Sequence, residues 1–290
     1  MPVAGERDFR LAQELREALA HEAAPDGEGA VADTWVRFSG ELREHLEVSD
    51  PREFLQWPVV RKSMFVSNPH YVAEELRYLR SRADWADRWR AGLQESPIGR
   101  PRPYPRYPRS SGNLIHHAYS LARFEEFAGI RAEDIGLVYE FGGGYGSMAR
   151  LFHQMGFKGK YLIQDLPAFS ALQRFYLASI GYYHSEEQPD MLACVSDFPS
   201  AKRFLDEWEA ERPKLFVATW SLSESPLSVR EPVLRALSDF DYVLIAFQQR
   251  FESIDNLHYF ENWVTGLKGD RIPEISNIEH LPGNSYLFVR

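Results

Sequence analysis

The chain has 290 residues, 44% hydrophobic and 26% charged, with a net charge of −9. That length suits one large domain or a core domain joined to a smaller helical one, and the composition is that of a globular protein. The acidic balance argues against a nucleic-acid partner, whose phosphates favour a basic face; no apolar run reaches the roughly 18 residues needed to span a bilayer, so no membrane partner is expected either.

The first residues, MPVAGERDFRLAQ, lack the apolar core of a secretory signal, and the cytoplasm is the expected location. Residues 6–23 are rich in the good helix formers Glu, Leu, Ala and Arg. Pro25-Asp26-Gly27-Glu28-Gly29 reads as a loop. Helical spacing returns over 31–48 and 70–93, with Pro51 and Pro58 between them. Residues 97–109, PIGRPRPYPRYPR, carry five prolines and four arginines and predict an extended, polyproline-like segment. Ser110 and Ser111 offer a cap for a helix over 113–128. Residues 1–109 thus read as a helical N-terminal region, and 110–290 as a second domain.

From residue 135 short β-branched or aromatic runs alternate with helical stretches. Strands are predicted at 136–141, 160–164, 192–196 (which holds Cys194), 214–219 and 241–247. Cys194 is the one cysteine, which excludes an intramolecular disulfide and a cysteine-based zinc site. Helices fit near 146–156, 167–181, 199–210 and 228–238. This alternation predicts a mostly parallel α/β sheet with helices on both faces. Two further strands, 275–280 and 285–290, flank Leu281-Pro282-Gly283-Asn284. That link is too short for a crossover helix, so the pair is expected to be an antiparallel hairpin.

The strongest motif is Glu140-Phe141-Gly142-Gly143-Gly144-Tyr145-Gly146-Ser147, which ends a predicted strand and opens a predicted helix. Glycines there permit positive φ and let the backbone approach a ligand at a helix N-terminus. A dinucleotide site prefers G-x-G-x-x-G, and counting from Gly142 the last glycine is replaced by Ser147. The pattern E-x-G-G-G-x-G better suits S-adenosylmethionine (SAM), which has no pyrophosphate and carries an amino group that Glu140 can attract. Asp165, after the next strand, can accept both ribose hydroxyls of such a ligand. Leu166 follows it, and Asp197 with Phe198 ends the third strand, placed for an adenine amino group and ring. Asp197 equally suits a helix cap.

The run EFGGGYGSMARLF, then KYLIQDLPAFSALQRFYL and ATWSLSES, resembles the class I SAM-dependent methyltransferases. More narrowly it is similar to the sugar O-methyltransferases of bacterial polysaccharide and natural-product clusters. The resemblance covers roughly residues 110–290. It implies a Rossmann-like seven-stranded sheet whose last strand is antiparallel, SAM as cofactor, and a small-molecule acceptor, a sugar or nucleotide-sugar; a homo-oligomer is left open. The first hundred residues then become the source of acceptor specificity, and they are expected to cover the carboxyl end of the sheet.

Methyl transfer to a hydroxyl needs alignment and removal of a proton, and His is the usual base near neutral pH. His258, after the fifth strand, is the first candidate. His117 is the second, because it shares a helical stripe with Leu114, Leu121 and Phe124, where a core histidine would also sit. His116 and His184 are further histidines in view. Glu224 is a third candidate, although Ser221 and Glu224 also fit an S-x-x-E capping box. Trp220 can face a sulfonium cation. Arg102, Arg106 and Arg109, with Arg100, are read as a clamp for an anionic acceptor or else as a solvated linker, and Asn256 as an acceptor contact. No metal-ligand spacing stands out. Methylation at N or C, and an NAD-dependent oxidoreductase, remain the competing readings.

Overall fold

The structure is a computed structural model that describes residues 6–21, 33–64, 69–182, 191–208 and 212–290. The loop expected over 25–29 and His184 lie outside the described residues.

Seven strands build the central sheet: β1 (Leu137–Phe141), β2 (Lys160–Gln164), β3 (Leu192–Val195), β4 (Lys214–Thr219), β5 (Tyr242–Gln248), β6 (Pro273–Asn277) and β7 (Asn284–Val289). Their order across the sheet is β3-β2-β1-β4-β5-β7-β6. β1 to β5 are mutually parallel, and β7 runs antiparallel to both β5 and β6. This is the Rossmann-like arrangement with a C-terminal antiparallel hairpin. Side chains alternate between faces with the period of two that a strand imposes. Val138, Leu215, Val217, Leu244, Ala246 and Phe288 enter one core. Tyr139, Phe216, Ala218, Val243, Ile245 and Leu287 enter the other. Burial on both faces is why these strands read as near-continuous apolar runs.

The helices are α1 (Glu6–His21), α2 (Asp33–Val48), α3 (Pro58–Ser63), α4 (Pro69–Ser81), α5 (Gly112–Ala128), α6 (Ser147–Gln154), α7 (Pro167–Ser179), α8 (Phe198–Asp206), α9 (Leu227–Arg235) and α10 (Asn256–Thr265). α5 begins where the serines predict: Ser111 Oγ accepts the N–H of Leu114 at 3.1 Å, and Gly129 at φ 69° closes the helix. α1 and α2 pack on α7, and α4 packs on α5. Leu15, Leu19, Leu42 and Leu46 thereby join Leu172 and Phe175 in one continuous core.

Two expectations change. The helical reading of 70–93 breaks after Ser81, and a π turn spans Trp85–Trp89, where Asp84 accepts the indole N–H of Trp89 at 3.0 Å. The polyproline-like stretch folds back instead of running straight. Pro103–Tyr104 pairs antiparallel with Tyr107–Ser111, with Tyr104 buried and Tyr107 against the Trp85 ring. Among the described residues no helix is long and apolar enough to cross a membrane.

Candidate functional site

Strand order reverses between β1 and β4, so the loops leaving their carboxyl ends diverge and leave a crevice, as open α/β sheets do at such a point. It encloses about 780 Å³.

The glycine loop forms its floor. Gly142, Gly144 and Gly146 have φ of 71°, 59° and 92°, a region L side chains rarely adopt. Space is as restrictive as conformation at Gly142, where a Cβ would collide with the side chain of Ser221. The loop is pinned by Gly142 N–H donating to Gln164 O at 2.8 Å and by Gly146 N–H donating to Gly143 O at 2.9 Å.

Carboxylates surround the loop. Glu140 is buried and accepts the Tyr161 hydroxyl at 2.9 Å; burial pushes its carboxyl up to about 8, and Asp165 nearby adds to the rise. Asp165 Oδ1 accepts the N–H of Leu166 at 2.8 Å, and Oδ2 accepts Gly144 N–H and Gln173 Nε2, both at 2.9 Å. Burial pushes Asp165 up to about 7 against the lowering effect of those bonds. A carboxylate offers about four acceptor positions. One is left, on Oδ1, so Asp165 has room for one further donor and not for the pair expected of it. Asp197 caps α8, its oxygens accepting the Ser200 N–H at 2.7 Å and hydroxyl at 2.8 Å, while Asp197 and Phe198 both line the crevice. Leu166 lines it as well.

The loop after β4 forms the opposite wall. Trp220 holds φ 65°, which is strained for a bulky residue. Its indole N–H donates to Asn284 Oδ1 at 2.7 Å, and its ring stacks on His116 with centroids 4.7 Å apart. The capping box does not form. Ser221 Oγ donates to Phe141 O, and Glu224 accepts Trp35 Nε1 at 3.0 Å and Gln248 Nε2 at 2.7 Å. Burial raises the Glu224 carboxyl. Behind the loop, fully buried Arg230 donates to Ser225 O at 2.7 Å and to Asn256 Oδ1 at 2.7 Å. Asn256 therefore supports the loop from behind and does not line the crevice, because its amide is engaged with Arg230, Ser223 O and Gln248 O.

The N-terminal region closes the crevice with Trp35 from α2, Ser63 and Met64 from and after α3, and Tyr71 from α4. His116 and His117 of α5 line it too. His117 is half-buried and its Nδ1 has no partner; burial, with His116 beside it, pulls its pKa down to about 3. His116 Nδ1 lies 2.6 Å from Glu75 Oε1, and His280 Nε2 lies 3.1 Å from the same oxygen. Neither Glu75 nor His280 belongs to a motif in the sequence. The available signal was Glu75 itself, an acid between Val72, Leu76 and Leu79 on the apolar face of α4.

Several expected residues fall elsewhere. His258 is exposed on the first turn of α10, its backbone N–H capped by Asp255 at 3.1 Å and its Nε2 3.0 Å from Asn262. Following a strand's carboxyl end was not enough, because a short hairpin at 250–255 intervenes and the helix turns its imidazole outward. Arg102, Arg106 and Arg109 are exposed on the proline ribbon, away from the crevice, and Arg100 pairs with Glu53 at 2.7 Å. No Lys or Arg lines the crevice among the described side chains. No group of His, Cys, Asp and Glu among the described residues is placed to hold a metal ion.

Neither a family model nor a curated protein matches the sequence. Among solved structures the chain is similar to precorrin-6y C5,15-methyltransferase from Geobacter metallireducens, with 12% identity over 61% of this chain and 88% of that one and a TM-score of 0.39. It is similar to a SAH-bound Podospora anserina methyltransferase, with 11% identity over 80% and 91% and a TM-score of 0.39. The human METTL16 N-terminal domain in complex with SAH gives 9% identity over 60% and 69%, with a TM-score of 0.42. Likeness at this level leaves the chemistry of the crevice to be argued from its own residues.

Proposed function

We propose that the protein is a SAM-dependent methyltransferase that acts on a hydroxyl of a small, uncharged acceptor such as a sugar. The observation that carries the reading is the acidic lining of the crevice: Glu140, Asp165, Asp197 and Glu224 face it, and among the described side chains no Lys or Arg does. SAM presents a sulfonium and an ammonium group, which such a lining favours. A dinucleotide pyrophosphate would meet carboxylates instead, and the N–H of Gly144 is already donated to Asp165. The loop backbone suits the close approach of a ligand, since Gly142 and Gly144 hold positive φ and carry no side chain into the crevice that they line. Glu140 and the glycine loop would hold the amino-acid end, Asp165 the ribose, Phe198 the adenine, and Trp220 the sulfonium. When bound, SAM supplies an electrophilic methyl group; the chain positions the acceptor and keeps water out.

The acceptor side is apolar and aromatic, with Trp35, Met64, Tyr71, Phe169 and Leu281. Such a wall suits the C–H face of a ring. The same charge pattern speaks against a nucleotide-sugar, because its diphosphate would find no cation there. Calorimetry with SAH and NAD tests the cofactor: SAH should bind and NAD should not, and the reverse would sink the reading. Tritiated SAM offered with methyl glucoside or with UDP-glucose tests the acceptor, with label expected only in the neutral sugar.

A further inference from the structure

We propose that His116 is the general base for the acceptor hydroxyl, with Glu75 and His280 as its positioning residues; the inference rests on the methyl-transfer reading above.

Among the described residues two histidines line the crevice, His116 and His117, and of these His116 has an orienting acid. Glu75 on α4 is fully buried and its Oε1 sits 2.6 Å from His116 Nδ1. An ionised carboxylate only accepts, so Nδ1 carries the hydrogen and the neutral ring keeps its lone pair on Nε2. Nδ1 is engaged away from the crevice, which leaves Nε2 as the nitrogen available to the space that His116 lines. The ring is fixed on its other side by stacking on Trp220.

His280, in the turn between β6 and β7, donates to the same Glu75 oxygen at 3.1 Å. Burial raises the Glu75 carboxyl, but its close contact with His116, followed by that with His280, outweighs the burial and holds the acid below its ordinary range. The titratable groups around the Glu75–His116 pair are His117 and Tyr119 from α5, His280 from the hairpin turn, Tyr286 from β7, and Tyr71 with its ring 5.7 Å from His116. His117 has no carboxylate and stays neutral, so it cannot share the proton. In the transfer the acceptor O–H proton passes to Nε2 as the oxygen bonds the methyl carbon. The carbon–sulfur bond breaks with its electron pair on sulfur. His116 is left as an imidazolium against the Glu75 carboxylate and returns its proton to solvent.

The test needs no acceptor. Diethyl pyrocarbonate acylates an unprotonated, reachable imidazole nitrogen, and peptide mapping assigns each modified histidine. The SAH-saturated protein is treated across pH 5 to 8, with exposed His258 as internal control. His116 should be modified at a rate within about tenfold of His258. In Glu75→Gln the acid limb of the His116 profile should move to lower pH relative to that of His258, because an imidazolium there loses the carboxylate that faces it. A merely packed histidine would do neither. An unmodified His116 when His258 has been consumed overturns the assignment in the wild-type protein alone, whether or not the variant folds. An unmoved limb in folded Glu75→Gln overturns the role of Glu75. Calorimetry on the same samples separates the failures: absence of SAH binding removes the methyl-transfer reading, whereas SAH binding with an inert His116 removes only the base.

Discussion

Asp165 accepts a hydrogen bond from the backbone N–H of Gly144 at 2.9 Å, so the acid proposed to touch the ligand also fixes the loop that approaches it. Asp165→Ala should weaken SAH binding by roughly 1–3 kcal/mol, through lost charge-assisted bonds to the ligand and a looser loop. Asp165→Asn keeps one acceptor oxygen and should fall between. Wild-type affinity in a folded Ala variant, read by calorimetry, would remove Asp165 from the site.

Gly129 and Gly142 have almost the same φ, 69° and 71°, but different surroundings. A Cβ at Gly129 meets nothing within 4 Å, whereas at Gly142 it meets Ser221. Gly129→Ala should therefore cost only the left-handed backbone penalty of roughly 1–2 kcal/mol. Gly142→Ala should cost about 1–3 kcal/mol more from overpacking. Urea denaturation of the two variants gives the difference directly; equal losses would mean that the loop relaxes freely around Ser221. Gly144→Val combines positive φ with a β-branched side chain beside Met64 and should abolish SAH binding.

Glu140 and Asp165 are held up to about 8 and about 7 in the ligand-free protein, chiefly by burial. The folded state therefore binds protons that the unfolded chain would release. The stability linked to these groups is full below their unfolded values near 4 and is lost as pH rises through 7 to 8. A cationic ligand favours their ionised forms, so SAM uptake at pH 7 should release protons, and at pH 9.5 it should not. Titrations in buffers of different ionisation enthalpy measure this, and Glu140→Gln should remove much of the release.

His116→Ala should lower methyl transfer about 10²–10⁴-fold with SAH affinity little changed, the usual cost of a positioned base. His258→Ala should leave turnover near normal, because the exposed ring bonds Asn262 and lies outside the crevice. The comparison is read by turnover with a methylated acceptor, alongside SAH binding.

The sheet was legible because its central strands are buried on both faces and its turns carry their own punctuation. Predicted 160–164 and 214–219 coincide with β2 and β4. The final hairpin followed from Pro282-Gly283 alone. The Gly142–Gly146 loop and Asp165 were legible for the same reason, since both are local to strand ends, and both line the crevice. The histidine cluster on the facing wall was not. Glu75, His116 and His280 are gathered from α4, α5 and the β6–β7 turn by packing, and no spacing along the chain records that meeting. The arginine clamp failed for a related reason: a dense local charge pattern says nothing about which way a ribbon folds.

The hydrogen bond from Trp35 to Glu224 joins residues 189 apart, across the mouth of the crevice. Loop-closure cost rises only slowly with length, but contacts of such separation form after the local and sheet contacts they depend on. The strand-end loops that meet the donor can thus be complete while α2 is still undocked. Opening of the α2 wall would then expose the acceptor side without disturbing the glycine loop.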